Sequence, residues 1–247
     1  MLATVLVIIV TIIFLALCGW QLQRRSQRLA ANARVLARLE QPALSVTGEP
    51  LDPEAADLRR ATVRGVFDYD QEIVLRNRSW NELPGVHVLA PLRIAGSNES
   101  ILVDRGWIPY DAAAPADRAQ FHNATGEVEV YGILRQSQMR RGSISPADPL
   151  PSLDHRVDNW HRVDLPKIRQ QLPYPLLDVY LEEDVRPGET PRLFPKPQPD
   201  ISLDEGPHLM YAVQWFAFAM IAVGGYVAYY HQRTRPRQLA GEHQPVG

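Results

Sequence analysis

The amino-acid sequence predicts a membrane protein in which two transmembrane α-helices flank one β-rich extramembrane domain, an antiparallel barrel or sandwich. Two apolar stretches predict the helices: residues 2–22 contain no charged residue or histidine, and residues 209–230 are interrupted only by Gln214. Each stretch has the roughly 20 residues that a helix needs to cross roughly 30 Å of hydrocarbon. Between them, short segments that alternate apolar and polar residues predict strands.

The first predicted span, residues 1–23, leads into a predicted juxtamembrane amphipathic helix at residues 24–41. Apolar residues of this segment fall on one stripe while its arginines lie elsewhere, and Gln41-Pro42 ends the pattern. The first span lacks a basic N-terminal region and an A-x-A cleavage site, so we interpret it as an uncleaved anchor rather than a signal peptide.

Residues 42–185 form the predicted β-rich domain. Asp164 is expected to cap a short helix at residues 166–171. A proline-rich strap is predicted at residues 186–207, because its prolines exclude a helix or a central strand. The second span follows at 208–230 and a tail at 231–247. Seven strands are predicted, at residues 61–67, 72–75, 86–89, 101–103, 127–131, 159–163 and 177–181.

Composition and motifs argue against several classes of function. The net charge of −2 suggests no nucleic-acid partner. The chain has no Gly-rich phosphate loop, no G-x-S-x-G and no H-E-x-x-H, so we do not expect an enzyme. His155 and His161 are interpreted as surface residues, and His87 as ordinary packing within a strand. The single cysteine, Cys18, lies in the first span.

Charge alone leaves the orientation open. Arginines follow the first span on the domain side, at positions 24, 25 and 28, and the second span on the tail side, at 233, 235 and 237. The positive-inside rule leans mildly toward a cytoplasmic domain, but the second cluster opposes the first.

Residues able to bind a cofactor converge where the spans meet the same membrane face. His208, Tyr211 and Trp215 recur on one face of the second helix, and Trp20, Gln21 and Arg24 end the first. Neutral imidazole is a good axial ligand for haem iron, so His208 is the candidate metal ligand, and arginine suits haem propionates. The alternative is an aromatic belt that anchors both helices at the headgroups. Gln214 needs a polar partner in hydrocarbon, which favours a protein contact.

Four features of the chain, spread over five segments, resemble the Surfeit locus protein 1 family of cytochrome c oxidase assembly factors. The segment at 103–109 is similar to the family's N-R-G-W-V-P signature, with Asp104 in place of asparagine and Ile108 in place of valine. The others are G-W-Q-L-Q-R-R at 19–25, R-G-V-F at 64–67 with G-V-H-V at 85–88, and H-L-M-Y-A-V-Q-W-F at 208–216.

This resemblance implies a β-rich domain on the outer face of the cell membrane, with both termini in the cytoplasm. It implies a role in maturing haem–copper oxidase in the respiratory chain, at the step where haem a enters subunit I, with His208 at the position of the haem ligand. The expected partners are subunit I, associated respiratory supercomplex subunits and membrane lipid. The alternative is a permanent structural subunit of the oxidase or supercomplex that binds no haem. Arg105-Gly106-Trp107 would form either a core-packing turn or a surface on which Trp107 contacts membrane or partner.

Overall fold

A computed structural model describes residues 2–138, 151 and 156–234, which divide into two compact units. One unit comprises residues up to Arg34 together with the chain from Leu203 onward, and the other comprises Val35–Ser202. The α-helices are α1 (Leu2–Leu39), α2 (Pro53–Ala56), α3 (Pro115–Arg118), α4 (Leu165–Ile168) and α5 (His208–Thr234). The strands are β1 (Leu44–Val46), β2 (Arg60–Phe67), β3 (Ile73–Trp80), β4 (Leu83–Ile94), β5 (Ser100–Pro109), β6 (Glu127–Gln136), β7 (Asn159–Trp160) and β8 (Leu176–Glu183).

Helices α1 and α5 are both long and apolar enough to cross a membrane, as the sequence predicts. The two helices pack against each other and run antiparallel, because residues later in α1 contact residues earlier in α5. Thr4 Oγ1 lies 2.6 Å from Tyr226 OH, near the N-terminus of α1 and the C-terminal part of α5. Farther along, the Phe14 ring stacks on Trp215 with centroids 5.7 Å apart. Helix α1 continues unbroken from its apolar part through the predicted juxtamembrane segment to Leu39.

Within the described residues, five strands of the second unit close into a barrel in the order β2–β6–β8–β5–β4. Residues Gly65–Phe67 of β2 pair with Leu92–Ile94 of β4 and complete the ring. The backbones approach closely there, since a Cβ on Gly65 would overlap the Arg93 carbonyl. All ring pairings are antiparallel except β5 with β8. The predicted β-rich fold is therefore confirmed as a barrel.

The remaining strands extend the ring outward. β1 pairs in parallel with β2, and β3 pairs with β4 and carries the two-residue strand β7. Three hydrophobic clusters are found among the described residues. One fills the barrel, around Ala61, Ile101 and Leu181. Another lies between β3 and α4, around Trp160, and a third is centred on Val88 of β4. Both faces of β4 are covered by these clusters, which is why residues 85–92 are buried without alternation.

The structure matches the predicted segments with differences at their ends. All seven predicted strands are present, although the one at 159–163 is limited to β7. β1 is not predicted by the sequence analysis. Asp164 caps α4 through the Lys167 N–H as expected, and a 3₁₀ turn completes the predicted helix through Gln171. β3 and β4 are longer than predicted because Asn81 and Glu82, both with positive φ, join them in a tight hairpin.

Candidate functional site at the helix boundary

The candidate site centres on a hydrogen bond between the two long helices. His208 is the first residue of α5, and its Nδ1 lies 2.9 Å from Oε1 of Gln21 in α1. An amide oxygen only accepts, so Nδ1 donates its proton. The neutral ring then carries its free lone pair on Nε2, which is the form of imidazole that binds metals. Gln21 is 8% exposed, so this bond satisfies an amide that would otherwise be buried without a partner.

Glycine leaves room beside the nitrogen that carries the lone pair. Gly206 has a φ of +71°, and a Cβ there would come within 3.3 Å of Nε2 and Cδ2 of His208. Any larger residue would crowd this side of the ring. A single imidazole therefore fits a metal whose other ligands come from a cofactor, as those of haem iron do. Among the described residues, no cluster of three or more His, Cys, Asp or Glu could hold a bare metal ion.

Two contacts hold the segment before α5 against α1 and so position His208. The Arg25 guanidinium pairs with the Glu205 carboxylate at 2.9 Å. The Asn32 amide donates to the Leu203 carbonyl at 2.7 Å. Both pairs are partly exposed, so each contributes little to stability. Their main effect is to align the segment before α5 with α1.

The other predicted site residues do not take part in the hydrogen bond between His208 and Gln21. Trp20 is 52% exposed and lies beside Gln21 on the outer surface of α1, and Tyr211 is 45% exposed on α5. Trp215 packs deeper, on Phe14. Arg24 is exposed and donates to Gln27 at 3.2 Å. The structure thus joins His208 to Gln21 and leaves three polar or aromatic side chains accessible around them.

The Arg105-Gly106-Trp107 segment lies inside the barrel unit and binds the strap (residues 186–207). Trp107 is 2% exposed, so of the two alternatives the core-packing turn fits and a contact with membrane or partner does not. Its backbone N–H and C=O both bond Lys196, at 2.8 Å each. Gly106 has a φ of +108° in the left-handed region, and a Cβ there would overlap the Lys196 carbonyl. Glycine is therefore required for the strap to lie on β5.

A buried ionisable pair was missed by the sequence analysis, which assigns His87 to ordinary packing. His87 in β4 is 5% exposed, and its Nδ1 lies 2.9 Å from Oδ2 of Asp104 in β5. The other carboxylate oxygen accepts the Gly106 N–H at 3.0 Å, which fixes the carboxylate. Burial lowers the pKa of His87, but the Asp104 carboxylate outweighs it, with a small contribution from Gln198, and the pKa is raised. The available signal was Asp104 itself, the acid that replaces asparagine in the signature.

A second buried group also has a raised pKa. Glu72 is 5% exposed, and burial raises the pKa of its carboxyl to about 7 even though Arg118 and Arg105 lower it. Arg118 Nε lies 3.0 Å from Glu72 Oε1, while Arg105 Nη1 lies 3.8 Å from Oε2. Of the predicted surface histidines, His161 is half-buried, and His155 lies outside the described residues.

Fold and site together define a class: a membrane protein with a β-barrel domain between two spanning helices and a histidine–amide pair at the start of the second. A family model described as the SURF1 family matches residues 8–220. The chain therefore belongs to the SURF1 family, and the resemblance drawn from the motifs is confirmed.

Individual relatives agree with this assignment. The chain is 27% identical to a SURF1-like protein of Monosiga brevicollis, over 88% of this chain and 84% of that protein. It is 28% identical to an uncharacterised SURF1-like protein of Mycobacterium bovis, over 99% of this chain and 88% of the relative. Surfeit locus protein 1 of Xenopus tropicalis is 27% identical over 67% of this chain, but the match spans only 56% of that protein.

Proposed function

We propose that this protein is an assembly factor for haem–copper cytochrome c oxidase that assists the insertion of haem a into subunit I. The observation that carries the proposal is the hydrogen bond from His208 Nδ1 to Gln21, which directs the free lone pair to Nε2. Membership of the SURF1 family supports the same conclusion. The protein would hold and present its cargo without catalytic turnover.

The residues of the site have distinct roles in this proposal. Haem a, when bound, would supply an iron that takes a nitrogen ligand from the protein. His208 would provide that nitrogen, and Gln21 fixes the tautomer and the ring orientation. The aromatic faces of Trp20, Tyr211 and Trp215 suit a flat macrocycle, and Arg24 suits a propionate. A single protein ligand on a half-buried ring is compatible with release, which a carrier requires.

The proposed orientation puts the barrel outside the cell membrane and both termini in the cytoplasm. Haem would then be held at the outer face, next to subunit I, with associated supercomplex subunits and lipid as neighbours. Cysteine introduced at exposed Glu82 should react with a membrane-impermeant thiol reagent added to intact cells. Labelling only after the cells are lysed would place the barrel inside and contradict the proposal.

The test of the haem role is His208→Ala in the full chain, co-expressed with haem a synthesis and purified in mild detergent. We expect at least a tenfold loss of bound haem, because the iron loses its protein ligand. His231→Ala is the matched control, since His231 lies at the other end of the same helix, and this variant should keep its haem. Equal haem contents in the parent and the His208 variant would remove His208 from the role.

A second candidate, a permanent structural subunit of the oxidase or supercomplex, is favoured by one observation. Gln214 is exposed on α5 within the apolar stretch, where an amide needs a polar partner. Purification of the mature oxidase distinguishes the two roles. A one-to-one content of this chain in the mature enzyme supports a subunit, whereas its presence on haem-deficient oxidase alone supports an assembly factor.

A further inference from the structure

The strap is bound to the barrel on both sides of Gln198. On one side, Lys196 exchanges two backbone hydrogen bonds with Trp107. On the other, the Asp200 N–H donates to Glu182 Oε2 at 3.0 Å. Gln198 therefore lies between two fixed points, and its side chain is presented to the barrel rather than to solvent.

The Gln198 side chain lies beside the same polar cavity as His87. Its Nε2 donates to the Ser79 carbonyl at 3.3 Å, which directs Oε1 the other way. Gln198 and His87 both line a cavity of about 370 Å³. His87 Nε2 and Gln198 Oε1 are both buried, and neither has a hydrogen-bond partner among the described residues.

The protonation state of His87 decides whether these two atoms can bond. Asp104 accepts a hydrogen bond from the Nδ1–H of His87, so a neutral His87 carries its lone pair on Nε2. Nε2 and Gln198 Oε1 are then both acceptors, and neither has a donor among the described residues, which is costly in a buried site. A second proton on the ring turns Nε2 into a donor that Gln198 Oε1 can accept, and one bond satisfies both atoms.

We propose that His87 is a proton-operated latch for the strap: when charged, its Nε2–H bonds Gln198 and fastens the segment around residue 198 to the barrel, and when neutral it releases that segment. The proposal does not depend on haem binding. It concerns the stretch of chain that leads directly into α5.

The charged groups around His87 favour its protonated form, in which the segment around residue 198 is fastened to the barrel. From β5, the Asp104 carboxylate contacts the ring directly. From β8 and the strap, the carboxylates of Glu182 and Asp200 belong to residues that line the cavity. Arg78 of β3 opposes them and lowers the pKa of His87, as burial does, yet the pKa is raised overall. An imidazole with a raised pKa stabilises the closed state fully below its ordinary pKa, and this contribution is lost as the pH rises through the raised value.

The test is amide hydrogen exchange on the full-length protein in lipid nanodiscs at pH 5.5 and 8.5, expressed as protection factors so that the intrinsic rate is removed. The reporters are the amides of Lys196 and Asp200, and the reference is the buried strand residue Val103. We expect the reporters to lose about fivefold or more in protection at the higher pH, the equivalent of one hydrogen bond, while the reference is unchanged.

Two variants make the outcome decisive. Gln198→Leu removes the acceptor and leaves the His87–Asp104 pair intact, so its reporters should show low protection at both pH values. His87→Gln offers a side-chain amide as a permanent donor, so its reporters should not respond to pH. The proposal is overturned by a parent whose reporters ignore pH, by an unchanged pH response in Gln198→Leu, or by an equal response at Val103, since the whole barrel would then be titrating.

Discussion

Two histidines in this molecule form a hydrogen bond through the same ring nitrogen at the same distance, but their partners differ in charge. Nδ1 of His208 and Nδ1 of His87 each lie 2.9 Å from a side-chain oxygen. The oxygen belongs to a neutral amide, Gln21, in the helix pair and to a carboxylate, Asp104, in the barrel. An amide orients the ring without adding charge, whereas a carboxylate also attracts a second proton to it.

In the two proposals, the charge of the partner, more than the hydrogen bond itself, distinguishes the roles of the two imidazoles. A ring proposed to bind iron needs its second nitrogen unprotonated. A ring that responds to pH needs a partner that stabilises the imidazolium. Substitutions that exchange or remove Gln21 and Asp104 test this difference.

The largest effect in this comparison is expected from Gln21→Leu, which removes the amide that orients His208. Haem affinity of the full-length protein should fall by about ten- to a hundredfold, the usual cost of losing the group that holds a ligating histidine. Haem titration monitored by absorbance measures the change. An affinity within twofold of the parent would show that Gln21 does not set the tautomer that binds iron.

Gln21→Glu sharpens the same point by giving His208 the type of partner that His87 has. Haem should still bind, but the carboxylate makes the imidazole a stronger donor, so the reduction potential of the bound haem should fall. A potential equal to that of the parent would contradict the argument that partner charge matters.

Asp104→Asn is the reciprocal exchange and should act through pH. The variant should lose about 1–2 kcal/mol of unfolding free energy at pH 5.5, where His87 is charged and depends on the carboxylate. At pH 8.5 the loss should be smaller, because an amide oxygen can still accept from the neutral ring. Denaturant unfolding of the full chain at both pH values measures this, and equal losses would show that His87 does not titrate in the folded barrel.

The smallest effect is expected from Trp20→Leu. Trp20 neighbours Gln21 in sequence but is 52% exposed, so its removal leaves the His208–Gln21 bond unchanged. Haem affinity should fall by about two- to threefold, since Trp20 offers the macrocycle an exposed aromatic face but does not orient the ligand. A loss as large as that of Gln21→Leu would mean that the amide is not the main determinant on α1.

The sequence predicts the elements of the fold better than their ends. Alternation identifies the strands of the barrel because one side of each faces the core. It cannot identify β1, whose three residues are too short to show a period, or the full length of β3, whose outer half carries Arg76 and Asn77. A shift in register between Leu75 and Arg78 interrupts the pattern there as well.

Of the two histidine pairs, the sequence pattern indicates the one in the helices and does not indicate the one in the barrel. Helical periodicity and the meeting of two spans at one membrane face bring His208 near the end of α1, and the structure selects Gln21 rather than Trp20. The His87–Asp104 pair depends on an irregularity between Val88 and Leu89 in the β4–β5 ladder. Such a bulge changes which side chains are neighbours and leaves no period in the sequence.

The parallel pairing of β5 with β8 has a consequence for biogenesis. The ring cannot close until its last strand has been synthesised, because β8 supplies the only link between β5 and β6 among the described strands. Only the strap separates that strand from α5 in the chain. Completion of the barrel and synthesis of the second helix are thus adjacent steps along the chain.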